Sequence, residues 1–107
     1  MRVTLDPEDS KIITLARAAR ARNGTAEGAA VRDETGRTYS ATNVALAALT
    51  LSAVQVAVAM AISSGARSLE AVALVTDGEP GPGDAAVAAE LGVKSLLVAG
   101  PDGTLRG

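Results

Sequence analysis

The feature that most constrains this chain is a long apolar stretch from Val44 to Ile62, which contains no charged residue. Such a stretch is stable only where its side chains leave water, either in a protein core or in a bilayer. It is rich in alanine rather than leucine, and it includes three polar side chains, Thr50, Ser52 and Gln55. These features favour a buried helix over a membrane span, and we predict that helix over 45–63. Because it is apolar on nearly all sides, we expect it to be covered on most of them.

Shorter patterned segments lie on both sides of this helix. They are predicted from capping residues, turn residues and apolar periodicity. Before the central helix we predict a helix from Asp6 to Asn23 and strands over 28–32 and 37–40. After it we predict a strand over 69–76, a helix from Asp84 to Leu91 and a strand over 94–99. A hairpin followed by two crossover units is typical of an α/β fold. We therefore predict a three-layer α/β/α sandwich around a mixed, mostly five-stranded sheet.

The chain has the length of one compact domain, and we assign residues 1–107 to a single domain because no linker or repeat interrupts it. Its only aromatic residue is Tyr39, so its core buries little area per residue. We therefore expect a homodimer or homotetramer, since association adds buried area to a small domain. Residues 1–9 lack the apolar core of a signal peptide, and we expect a cytoplasmic protein.

The residue types that are missing limit the chemistry. The sequence contains no cysteine and no histidine, which excludes disulfides, thiol nucleophiles, histidine bases and the common zinc sites. No spaced run of acidic residues indicates magnesium or calcium. Acidic and basic residues are interspersed and the net charge is −2, which gives no support to nucleic-acid binding. We therefore predict no metal and no cofactor.

Five local stretches follow one another along nearly the whole chain: Gly28-Ala29-Ala30-Val31, the segment 33–40, Asn43-Val44, the segment 72–77 and Pro101-Asp102-Gly103. In this order and spacing they resemble the small cytidine deaminases. The resemblance implies the same α/β/α fold and directs attention to the family's zinc-binding motifs.

At those motifs the chain departs from the family pattern. Zinc deaminases activate a water on zinc and use a glutamate to move protons. The resemblance places the family's Cys-Ala-Glu or His-Ala-Glu motif on Ala53-Val54-Gln55, and its Pro-Cys-x-x-Cys motif on the segment 82–86. Ala53, Gly83 and Ala86 then stand where ligands are expected, and Gln55 stands where the glutamate is expected. We therefore expect a catalytically inactive, zinc-less pseudoenzyme, and not an enzyme.

The expected substrate pocket is only partly retained. The family holds the ribose hydroxyls with an Asn-x-Glu segment, of which Asn43 remains while the glutamate position is Ala45. Our leading interpretation is a protein that acts through a protein partner or through assembly. The alternative is a binder of a nucleoside-like small molecule in the cavity around Asn43 and Gln55.

Overall fold

The computed structural model describes residues 5–106, which form three helices and six strands. The elements are α1 (Pro7–Asn23), β1 (Glu27–Asp33), β2 (Thr38–Thr42), β3 (Val44–Ala45), β4 (Thr50–Leu51), α2 (Ala53–Ser63), β5 (Leu69–Thr76), α3 (Pro82–Glu90) and β6 (Leu97–Ala99). Residues 1–4, which contributed to the expectation of a cytoplasmic protein, lie outside the described range.

Four strands form the main sheet in the order β2-β1-β5-β6. The β1 strand pairs antiparallel with β2 and with β5, and Val31 lies opposite Val72 in the second pairing. The β5 strand pairs parallel with β6, so the sheet is mixed as predicted. The predicted fifth strand is not part of this sheet within residues 5–106, where β3 and β4 form a separate two-stranded hairpin.

Two apolar cores, one on each face of the sheet, confirm the three-layer sandwich. One core joins α1 to the sheet through residues such as Ile12, Ala30 and Val75. The other joins α2 and α3 to the opposite face and includes Val54 and Leu74. The abundance of alanine lets the layers approach closely, because a small side chain keeps the backbones near one another.

Glycine permits the closest of these approaches. A Cβ atom on Gly28, in β1, would lie 2.1 Å from the carbonyl oxygen of Ala16 and 2.9 Å from Cβ of Arg20, both in α1. No side chain fits in that gap unless the helix moves. The backbone of α1 therefore lies directly on the start of β1.

The predicted boundaries of two helices were wrong. The central helix begins at Ala53 rather than at residue 45, because Ser52 caps it: the Ser52 hydroxyl accepts from the Gln55 N–H, and the Gln55 side chain accepts from the Ser52 N–H. The α3 helix begins at Pro82 rather than at Asp84, since proline suits the first helical position and leaves Asp84 in the first turn. The final strand is also shorter than the predicted 94–99 segment.

The central helix is too short for the membrane span that was the alternative to a buried helix. The α2 helix has 11 residues, whereas a helical span needs about 20. Across residues 5–106, no helix is long and apolar enough to cross a bilayer.

Candidate functional site

The candidate site lies where the N-terminal ends of α2 and α3 meet. We call it the helix junction and define it by Ser52, Gln55, Gly83 and Asp84. The Ser52 hydroxyl donates to Oδ1 of Asp84 at 2.6 Å, which joins the cap of α2 to the first turn of α3. The same hydroxyl accepts from the Gln55 N–H at 3.1 Å. A single hydroxyl thus caps one helix and binds the other.

Asp84 is the buried charge of the junction, with only 1% of its surface exposed. Its second oxygen, Oδ2, accepts from the Gly81 N–H at 3.1 Å. Burying a carboxylate is costly unless hydrogen bonds compensate for lost water, and here both oxygens have a donor. The positive N-terminal end of α3 also favours a negative charge in its first turn.

Gln55 fills the space beside Gly83. Its Oε1 accepts from the Ser52 N–H at 2.9 Å and completes the capping box. Its Nε2 lies 3.2 Å from the point that a Cβ on Gly83 would occupy. A larger residue at position 83 would therefore press on the Gln55 amide.

Glu27 is a site residue that the sequence did not reveal. Its Oε1 accepts from the Ala53 N–H, the first of α2, at 3.1 Å. Its own backbone N–H donates to Oδ1 of Asn43 at 3.0 Å. Glu27 is separated from Ala53 by 26 positions, and no local motif links two residues at that distance. The only sequence signal is an acidic residue at the start of an apolar strand.

The structure brings most of the predicted positions together. Ala53 is fully buried at the start of α2, and Gln55 and Gly83 face each other across the junction. Asn43 is linked to the start of α2 through Glu27. Ala86 is not grouped with these residues, because it lies on the exposed side of α3.

We tested whether these residues fit the zinc ion that the resemblance implies. Zinc sites in proteins use thiolates, imidazoles and carboxylates, usually four donors in all. The ligand positions Ala53, Gly83 and Ala86 carry no donor side chain, and both oxygens of Asp84 already accept hydrogen bonds. Between residues 5 and 106, no three or more acidic, histidine or cysteine side chains are grouped to hold a metal. The junction therefore does not fit zinc.

Comparisons with known proteins place the chain in a family. The sequence profile described as "Cytidine deaminase-like" matches residues 5–103. No curated protein sequence gives a significant match.

Among solved structures, the chain is similar to the cytidine deaminase from Burkholderia pseudomallei, with 29% identity and a TM-score of 0.75 over 90% of this chain and 87% of that one. It is also similar to the enzyme from Mycobacterium leprae, with 25% identity and a TM-score of 0.72 over 94% of this chain and 93% of that one. The Mycobacterium tuberculosis enzyme gives 27% identity and a TM-score of 0.72 over 94% and 90%.

These findings correct one expectation and confirm another. We expected a chain that is not an enzyme, because Ala53, Gln55, Gly83 and Ala86 replace the zinc motifs. The comparisons contradict this, since the similar structures are cytidine deaminases and point to an enzyme family. The error came from equating one lost ligand set with the class of the whole protein, although such side chains report on a single mechanism. The expected family is confirmed: the chain belongs to the cytidine deaminase-like family.

Proposed function

We propose that this chain acts through assembly, in which copies associate through the apolar side chains exposed near the C-terminal end of α2 and on the β3–β4 hairpin to form a homodimer or homotetramer. One observation carries the proposal. The large hydrophobic side chains that are exposed among residues 5–106 all lie between positions 46 and 62, with 41–62% of their surface in water. They are Leu46, Leu49, Met60 and Ile62. Exposed apolar surface of this kind is typical of contact sites between proteins.

The distribution of charge supports a second copy as the partner. None of the charged residues lies between Arg37 and Arg67, so the segment that supplies these exposed apolar side chains carries no charge. In a two-fold interface the same patch meets itself, and like charges would then face one another. An uncharged apolar patch avoids that repulsion, whereas recognition of a charged partner would gain nothing from it.

The packing of α2 supports the same partner. Its inner face is buried against the sheet, through residues such as Val54, Ala57 and Ala61. Met60 and Ile62 lie at the two edges of that buried face and remain exposed. The expectation that this apolar helix is covered on most sides is therefore not met by one chain alone, and a second copy would supply the missing cover.

Native mass spectrometry and light scattering at micromolar concentration test this proposal. We expect the unmodified protein to be a dimer or tetramer, and Met60→Glu or Ile62→Glu to shift it toward monomer, because each places a charge in the contact. Ala18→Glu is the matched control, since it adds the same charge to an exposed position of α1, on the opposite face of the sheet. A monomeric unmodified protein, or equal loss of assembly in the control, would contradict the proposal.

A protein partner is tested by a mixing experiment with the same mass measurement. A related hypothesis is that the chain joins an active cytidine deaminase in a mixed assembly and changes its rate. Mixing the two proteins should then give hetero-oligomers by mass, and the absence of exchange and of any change in rate would count against it.

The nucleoside alternative has less support from the contacts. The carbonyl oxygens of Asn43 and Gln55 each already accept one backbone N–H, so a ligand would share those oxygens or bind the amide NH₂ groups. Thermal unfolding with cytidine, uridine and their nucleotides separates the two hypotheses, because a ligand that binds the folded state raises Tm. The cytoplasmic location and the single domain over residues 1–107 remain predictions, and cell fractionation tests the location.

A further inference from the structure

We infer that the helix junction is a clamp that holds the fold together without metal. The resemblance places zinc ligands on the first turns of two helices, so that one ion would tie those helices to each other. In this chain the Ser52–Asp84 hydrogen bond spans the same two turns at 2.6 Å. The connection between α2 and α3 is therefore made by side chains that the protein itself supplies.

Electrostatics explain why the bridging group is a carboxylate. The N-terminal end of each helix carries a partial positive charge, and two such ends repel when they meet. Asp84 lies in the first turn of α3 and binds the cap residue of α2, which places its negative charge between the two ends. The carboxylate of Glu27 accepts from the first N–H of α2 and adds to the same effect.

The packing of side chains in the helix junction also supports a clamp without metal. The Gln55 amide lies 3.2 Å from where a Cβ on Gly83 would be, so the glycine makes room for the glutamine. Ala53 is fully buried at the start of α2, where it presents a methyl group at the position of the expected ligand. The replacements at these positions fit one another sterically as well as electrostatically.

The first test compares Tm of the protein as purified with Tm in the presence of EDTA and of added Zn²⁺. We expect all three values to agree, because the clamp contains no metal. A fall with EDTA or a rise with zinc would overturn the inference, since a metal bound to the folded state must stabilise it.

The second test is a double-mutant cycle on the bridge itself. We expect Ser52→Ala and Asp84→Ala each to lower Tm by roughly 5–15 °C, since each removes a part-buried, charge-assisted bond. The double variant should lose clearly less than the sum of the two, because both single changes break one shared bond. Simple additivity would overturn the inference, as it would show that the two residues act separately.

Three further variants keep the cycle interpretable. Asp77→Asn removes a charge at an exposed loop position and is the matched control, for which we expect no change in Tm. Ser52→Thr keeps the hydroxyl and should retain most of the stability that Ser52→Ala loses. If Asp84→Ala does not fold, Asp84→Leu replaces it in the cycle, because leucine has a similar shape and no oxygen that could accept the Ser52 hydroxyl.

Discussion

The contact between α1 and β1 makes a sharp prediction for Gly28→Ala. The added Cβ would lie 2.1 Å from the Ala16 carbonyl oxygen, about 1 Å inside ordinary van der Waals contact. The obstacle is helix backbone, which cannot rotate aside as a flexible side chain does. Forcing one extra carbon into a well-packed core costs about 1–3 kcal/mol, and we expect the upper part of that range because the whole helix must shift.

Urea unfolding monitored by circular dichroism measures this cost. A loss of about 2–3 kcal/mol corresponds to a fall in Tm of roughly 8–15 °C for a domain of this size. Gly78→Ala is the matched control, since its added Cβ would meet only Thr76 Oγ1, at an ordinary contact distance of 3.8 Å. We expect that variant to be neutral or slightly more stable, because alanine restricts the unfolded chain. Equal effects at positions 28 and 78 would refute the close approach of α1 to the sheet.

Two further predictions concern acidic side chains. The Thr35 hydroxyl donates to Asp33 at 2.7 Å and, with the Thr35 and Arg37 N–H groups, lowers the pKa of that carboxyl. Because the unfolded chain then binds the proton more readily, the stability of the protein should fall as pH drops below the ordinary carboxyl pKa of about 3.9. Asp33→Asn should be less stable at pH 7, and its stability should depend less on pH in the acid range. An unchanged pH dependence in this variant would contradict the prediction. Glu27→Ala should lower the free energy of unfolding by about 1 kcal/mol, because it removes the acceptor of the Ala53 N–H. Glu27→Gln should lose less, because it keeps an oxygen at that place. Equal losses in urea unfolding would argue against the bond.

The sequence predicted the layers well because they depend on repeating local patterns. Alternation, caps and turn residues were enough to place three helices, the β1–β2 hairpin and the mixed sheet. The start of the central helix was missed because the apolar run crosses a hairpin and a helix without a change in composition. The Ser52-x-x-Gln55 spacing was a readable sign of the true start, since it matches a capping box.

The contacts of the candidate site could be predicted only in part. The resemblance aligned Gln55 and Gly83 with one site, and the structure brings them face to face. The Ser52–Asp84 bond joins residues 32 positions apart, and the Glu27–Ala53 bond joins residues 26 apart. Such pairs depend on how the layers dock, which no local pattern encodes. Asp84 itself was interpreted as a helix cap, a role consistent with any acidic residue near a helix start.

The clamp and the two α2 side chains that test assembly lie at opposite ends of one helix, and this allows the two proposals to be tested separately. Ser52 precedes α2, whereas Met60 and Ile62 lie in its last turns. Eight to ten residues of helix separate them by about 12–15 Å, a distance at which stability effects normally add. Clamp variants should therefore lower Tm at every protein concentration.

The Met60→Glu and Ile62→Glu variants should behave differently. They should abolish the rise of Tm with protein concentration that association produces, because mass action stabilises only a protein that assembles. The clamp does not require that dependence, so its absence in the unmodified protein would refute the assembly proposal and leave the clamp intact. A Tm that rises with protein concentration but falls in EDTA would refute the clamp and leave the assembly proposal intact. Because the failure of either proposal leaves the other intact, Tm measured across protein concentrations, with and without chelator, tests the two separately.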